Sequence, residues 1–295
     1  MPININYGVF WMLLASFCFA VMSVFVKILS SYLGVLEITF LRNIFGVLII
    51  GFAIYKMPLK QKGGKMPLLF FRGFIGFVAL LAWFYNIAHI PLADAITFSK
   101  TAPIFTAIIA YFLLKEKMSI FGWFAIFIGF VGIILIMKPN VEIGLKTTDI
   151  MGILSGVGAA LAYTSVRELK QYYDTKAIVL SFMLVGTIGP LLMIGFNAIF
   201  LINGFEEFFG KPTMPHGIVW FYIIIMGIFA TLAQIFLTKA YGATKAAIVA
   251  TVSYADIIFA GIFSAIFWGV YPDLLALFGI MLVILSGILV AKEKI

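Results

Sequence analysis

FFRGFIGFVALLAWFYNIAHIPLADAITFSKTAPIFTAIIAYFLLKEKMSIFGWFAIFIGFVGIILIMKP, residues 70–139, carries three apolar runs in succession, and their length decides the fold. Extended to the preceding Leu68, the runs are Leu68 to Ala88, Ala93 to Leu114 and Ile120 to Met137, parted only by short polar passages. A helix needs about 20 apolar residues to cross the hydrocarbon core of a bilayer. A barrel strand needs about 10, with apolar and polar residues alternating, and no such alternation is present. In lipid the backbone must satisfy its own hydrogen bonds, so runs of this length predict transmembrane helices.

The same reading extends to the whole chain. Of its 295 residues, 64% are hydrophobic and 11% charged, and the mean hydropathy is +1.16. Soluble domains average about 45–50% apolar and about 25% charged. Seven further apolar segments run from Gly8 to Leu29, Leu36 to Tyr55, Ile150 to Leu169, Ala177 to Ile202, Ile218 to Lys239, Ala243 to Gly269 and Leu274 to Ala291. Ten spans fill the sequence and leave no room for a separate soluble domain. The expected fold class is therefore an all-α integral membrane protein with ten transmembrane helices.

The net charge of +8 reads as topology, not as nucleic-acid binding. Connection 2–3 holds Lys56, Lys60, Lys62 and Lys65, with Arg72 just beyond, and connection 4–5 holds Lys115 and Lys117. Arg167, Lys170 and Lys176 flank connection 6–7, Lys239 and Lys245 flank connection 8–9, and Lys292 and Lys294 lie in the tail. The other side receives only Lys138, Lys146 and Lys211, while Lys27, Arg42 and Lys100 fall within spans. Positive residues stay inside, so both termini are expected in the cytoplasm of a multi-pass protein of the cell membrane. No basic residue precedes Lys27 and no small-residue cleavage site follows the first run, so it is expected to be retained. The single cysteine, Cys18, excludes an intramolecular disulfide and a multi-cysteine metal site.

The halves echo each other. PIFTAIIAYFLL, a Lys-Glu-Lys turn and FGWFAIFIGFVGIILIM in the first half correspond to DIIFAGIFSAIF, WGVYPD and LLALFGIMLVILSGILVA in the second. Five helices is an odd number, so a direct five-helix repeat would insert its second copy upside down. Coincidence between Phe- and Ile-rich helices is the other reading.

Residues 70–139 also resemble the drug/metabolite transporter superfamily of the EamA type. The likeness rests on Arg72-Gly73, Pro103 with Phe105, Glu116 after a Leu pair, and the helix bearing Gly129 and Gly132. The stretch PLADA is similar to the branch that includes S-adenosylmethionine uptake carriers. The resemblance implies two inverted five-helix repeats, residues 1–139 and 150–295 joined by a loop at 140–149, around a cavity lined mainly by helices 1, 3, 4, 6, 8 and 9. WGVYP departs from the Gly-Glu that commonly ends helix 9 in that family.

An ionisable residue inside a span is costly and is a functional candidate by default. Lys100 on helix 4 and Asp256 on helix 9 lie about 12 and about 20 Å deep at 1.5 Å per residue, a difference that a lysine stem can bridge. They are expected either to form a pair broken by substrate or proton, anchoring a carboxylate and an amine, or to form a permanent structural salt bridge. Glu37 with Arg42, and Asp94 with Lys27, lie near outer ends, as structural pairs, an outer gate or substrate contacts. Glu116 reads as an inner gate or turn residue, and Arg72 as an anchor near lipid head groups.

Trp83, Tyr85 and Asn86 on helix 3, Gln234 on helix 8, and Ser253 and Tyr254 on helix 9 offer stacking surfaces and hydrogen bonds to a substrate, or join helices to one another. Thr97 and Thr101 share a face just before Pro103, where a missing backbone bond makes a hinge or a static kink. Gly152-x-x-x-Gly156 on helix 6 permits close helix packing. Residues 203–217, NGFEEFFGKPTMPHG, mix Phe with Glu in an outer connection at the interface.

No G-x-x-x-x-G-K-[ST] is present to drive a pump, and His89 and His216, the only histidines, lie in connections. No cofactor or metal is expected, and no enzyme activity. The reading is a secondary transporter working by alternating access on a small polar or zwitterionic organic metabolite, derived from an amino acid or nucleoside, with S-adenosylmethionine-like compounds included. The alternatives are a proton-coupled exporter of lipophilic compounds, a channel and a membrane-embedded enzyme. The expected partners are the substrate and membrane lipids. Coupling to protons, through Asp256 or Glu37, stays open against exchange, as do the direction of transport and the oligomeric state.

Overall fold

The computed structural model describes residues 5–90, 98–116, 118–137, 146–202, 204–209, 213–269, 271 and 273–291. The expected site residues Asp94 and Thr97 lie outside the described residues. Twelve helices and no strand are found among the described residues. They are α1 (Ile5–Leu29), α2 (Val35–Lys56), α3 (Met66–His89), α4 (Ala102–Leu113), α5 (Ile120–Met137) and α6 (Thr147–Leu169). In the second half, α7 (Thr175–Phe200), α8 (Phe205–Phe209), α9 (Val219–Ala243), α10 (Ala246–Val252), α11 (Ala255–Trp268) and α12 (Leu274–Ala291) follow. The protein is an all-α membrane protein. Seven stretches are long and apolar enough to cross a bilayer, with α10 and α11 counted together as one. The shorter apolar helices α4, α5 and α12 occupy the three remaining expected segments.

Local chemistry sets the helix ends. At α2 the Glu37 carboxylate accepts the Gly34 backbone N–H at 2.9 Å, and at α7 Asp174 accepts that of Lys176 at 2.9 Å. Asp273 accepts the Ala276 N–H at 2.9 Å and so starts α12. Each carboxylate satisfies a donor that the first helical turn would otherwise leave open.

Two expected spans are interrupted, which corrects the reading of both as continuous. Phe98 and Ser99 are helical, Lys100 and Thr101 form a turn, and α4 begins only at Ala102. Pro103 therefore sits in the first turn of a new helix, where a missing N–H costs nothing, and does not kink an existing one. In the second half Ser253 and Tyr254 separate α10 from α11. Both breaks tighten into three-residue hydrogen bonds, from Thr101 N to Phe98 O at 3.1 Å and from Tyr254 N to Thr251 O at 3.1 Å.

The main packing partners cross between the halves: α1 lies against α9, α3 against α6, α2 against α7, and α5 against α12. Large apolar side chains such as Phe52, Phe121, Phe127, Leu192 and Phe278 point outward, as a lipid-facing surface requires.

The connections gather by parity. Lys62 and Gly63 donate backbone N–H groups to Tyr172 O at 3.0 Å, and Lys176 reaches the carbonyl of Met57. Lys65 pairs with Glu168 at 3.2 Å, and Glu116 with Arg167 at 3.3 Å. Connections 2–3, 4–5, 6–7 and 8–9 thus share one end of the molecule, and this end carries most of the basic residues. At the opposite end the Thr213 N–H donates to Glu37 at 2.6 Å, and the Thr213 hydroxyl to Tyr32 O at 2.8 Å.

Candidate functional site

A stripe on α3 opens the site. Arg72, Gly76, Ala79, Leu80 and Trp83 recur at helical spacing and face one cavity of ≈ 130 Å³. The opposite walls come from α1, α6, α9 and the two helix breaks, with Arg42 of α2 and Phe182 of α7 completing them.

Lys100 and Asp256 meet in this cavity as an ion pair, with side chains 12% and 20% exposed. The helix breaks make the meeting possible. Without a regular helix at 100–101, the chain approaches α6 closely, because Gly152 and Gly156 leave no side chain in the way. A Cβ on Gly152 would overlap the Phe98 ring, and one on Gly156 the Thr101 hydroxyl. On the other side Asp256 occupies the first turn of α11, immediately after the second break.

Two arginines occupy the same cavity. Arg42 and Arg72 are each 1% exposed. Arg42 donates to Asn43 Oδ1 at 3.0 Å and points Nε at the Met22 sulfur at 3.4 Å. Arg72 donates to Gln234 Oε1 at 3.0 Å. Both guanidinium groups lie over the Phe182 ring, 5.4 and 4.6 Å from its centroid. Neither has a carboxylate partner among the described residues. Arg72 is therefore no head-group anchor, and Arg42 does not snorkel to water. Arg72 Nε, Trp83 Nε1 and Asp256 Oδ1 are buried in the wall without a hydrogen-bond partner among the described residues.

The remaining sequence candidates divide between wall and scaffold. Trp83, Gln234, Ser253 and Pro103 line the cavity. Tyr85 does not, and stacks on His89 with ring centroids 4.0 Å apart. Asn86 donates to the Thr148 carbonyl at 3.0 Å and ties α3 to the start of α6. Tyr254 is buried against Ile133, Ile257 and Val283, behind the wall. The Thr101 hydroxyl bonds back to Phe98 O at 2.6 Å. Glu37 caps α2 at the far end, and Glu116 accepts from Arg167 and from the Ala246 N–H at 3.0 Å, which clasps the turn after α4 to the ends of α6 and α10. Burial holds the Glu116 carboxyl above its ordinary range, against the downward pull of Arg167 and that amide. Among the described residues no cluster of His, Cys, Asp and Glu could hold a metal ion.

Sequence reasoning missed Arg72, Phe182 and Tyr163 as wall residues. For Arg72 a signal exists: Arg72, Gly76, Ala79 and Trp83 fall at i, i+4, i+7 and i+11, one face of a helix.

The EamA-like transporter family matches the chain twice, over residues 6–138 and 146–292. An uncharacterized transporter of Helicobacter pylori strain J99 is 38% identical over 98% of this chain and 95% of its own length. The pseudopaline exporter CntI of Pseudomonas aeruginosa is 30% identical, over 97% of this chain and 96% of its own. An S-adenosylmethionine uptake transporter of Rickettsia bellii is 24% identical, over 95% of this chain and 91% of its own. A crystal structure with a TM-score of 0.76 and 14% identity covers 98% of both chains and shows the same fold. The twofold match and these similarities over nearly full length have one consequence: the chain belongs to the EamA-like transporter family.

Proposed function

We propose that this membrane transporter moves a small polar organic metabolite through the cavity by alternating access. The observation that carries this reading is the placement of Lys100 and Asp256, each at the break of an interrupted span, facing one another in a cavity between the halves. Interrupted helices at the midplane expose backbone groups and charges to a solute while protein covers them from lipid. A substrate with a carboxylate and an amine would exchange this internal pair for two external ones.

Ten crossings in two inverted repeats, 1–139 and 150–295, belong to the same proposal. Its support is the pairing pattern. Exchanging each span for the one five places on turns the contact of spans 1 and 8 into that of 6 and 3, and leaves 2 with 7 and 5 with 10 unchanged. The family match, which falls separately on each half, agrees with this. Cytoplasmic termini and a place in the cell membrane are supported by the basic end formed by the even-to-odd connections.

The test is counterflow in proteoliposomes. Uptake of a labelled metabolite that saturates and speeds up with the unlabelled compound inside is the expected result. Flux without saturation or acceleration would mark a channel and sink the proposal. Protein-dependent movement restricted to lipophilic dyes would turn the reading to efflux.

A further inference from the structure

Among the described residues the charged groups in the cavity wall are Arg42, Arg72, Lys100 and Asp256, a net of two positive charges. Lys100 and Asp256 neutralise each other. The excess therefore belongs to two guanidinium groups that water hardly reaches. Removing a cation from water is costly unless an anion and good hydrogen bonds compensate. Here the compensation is an Asn oxygen, a Gln oxygen, a thioether and the face of Phe182. All are neutral, and Arg72 Nε has no partner among the described residues.

From this imbalance we infer that the substrate is an organic anion with at least two acidic groups, held by Arg42 and Arg72. The inference rests on the transport reading and names the substrate class of the same cavity. Geometry supports one molecule contacting both arginines. At 5.4 and 4.6 Å from the same ring centroid, the guanidinium carbons are at most their sum, 10.0 Å, apart. A compact dicarboxylate or phosphorylated acid reaches across that gap. A guanidinium fork takes two acceptor oxygens at once, which fits planar carboxylate and phosphate alike. Trp83 Nε1, another buried donor in this wall, is available to the same ligand. A substrate without net negative charge would leave the excess uncompensated.

The experiment measures thermal stabilisation and counterflow of the purified full-length protein with succinate, citrate and 3-phosphoglycerate. Succinamide, methionine and S-adenosylmethionine serve as probes lacking the double negative charge. The expected result is stabilisation and saturable exchange by at least one of the three anions and none by succinamide. Arg42→Gln and Arg72→Gln weaken that response at least tenfold. Arg72→Lys keeps the charge and the fold while binding less tightly than wild type, because one ammonium cannot supply the fork. Exchange of methionine or S-adenosylmethionine with no response to any of the three anions overturns this inference and leaves alternating access standing. An anion response that persists unchanged in both Gln variants overturns the placement on the two arginines. Flux of every probe without saturation overturns the inference together with the transport reading.

Discussion

At the two helix breaks Lys100 and Asp256 neutralise each other, whereas on α2 and α3 Arg42 and Arg72 share the ring of Phe182 and face no carboxylate among the described residues. The two clusters occupy one cavity, so the surrounding dielectric does not explain the difference. Position in the fold does. The breaks, one in each half of the chain, bring one cation and one anion to a common place. The arginines sit on neighbouring spans of the first half, and no acid in the second half reaches them among the described residues. A cluster that satisfies itself can hold a closed arrangement, and one that does not leaves valence for a ligand.

The comparison breaks most visibly at Asp256. Asp256→Asn leaves Lys100 charged and without its partner, and is expected to cost about 3 kcal/mol of stability. Lys100→Met combined with Asp256→Leu removes both charges and recovers most of that loss. Thermal unfolding in detergent measures both, and an Asp256→Asn protein as stable as wild type would mean that the pair does not form in the membrane.

Next in size is Gly156→Ala. Its methyl group would overlap the Thr101 hydroxyl, so residues 98–101 must move away from α6, at a cost of about 1–3 kcal/mol. Transport should suffer while Arg42 and Arg72 keep their places, which separates the two clusters. A variant with normal stability and normal transport would show that the close approach is dispensable.

Asn43→Ala tests the arginine side. Asn43 accepts from Arg42 and donates to the carbonyls of Thr39 at 2.7 Å and Gly186 at 3.3 Å. Losing these buried bonds should cost about 1–2 kcal/mol and weaken the response to anions without altering the Lys100 pair. Equal anion affinity in variant and wild type would remove Asn43 as the group that orients Arg42.

The smallest effect lies outside the spans, at Glu116. Burial raises its folded pKa above the ordinary 4.5, so the fold binds this proton more tightly than the unfolded chain does. Wild-type stability relative to Glu116→Gln therefore rises as pH falls through the folded pKa, and levels off below 4.5. Melting midpoints of the two proteins across that range give the difference, and a difference that falls with acidification would reverse the sign assigned here.

Much of this arrangement is legible in the sequence alone. Outside the two interrupted spans the apolar runs placed the helices to within a few residues, and the sorting of Lys and Arg agrees with the gathering of connections 2–3, 4–5, 6–7 and 8–9 at one end. Lys100 and Asp256 could be paired on paper, since they lie on corresponding spans at depths that a lysine stem bridges. The orientation of side chains around each helix was harder to read. Tyr85 and Tyr254 were expected in the cavity and pack elsewhere, whereas Arg72 was expected at head groups and lines the wall. On a soluble helix the apolar face marks the core, but here lipid and core are both apolar, and hydrophobic periodicity loses its contrast.

Composition and run length alone determine a membrane protein of helices, because lipid admits no unsatisfied backbone and about 20 apolar residues span it. Charge distribution along the chain determines which connections share a side. Only the tertiary structure decides where the expected fourth span breaks, because glycines on α6 must first be brought against residues 98–101. Only it shows that two arginines, 30 positions apart in the sequence, share one aromatic ring and, among the described residues, lack an acid. Such an imbalance is a property of contacts between distant segments, and local sequence carries no trace of it.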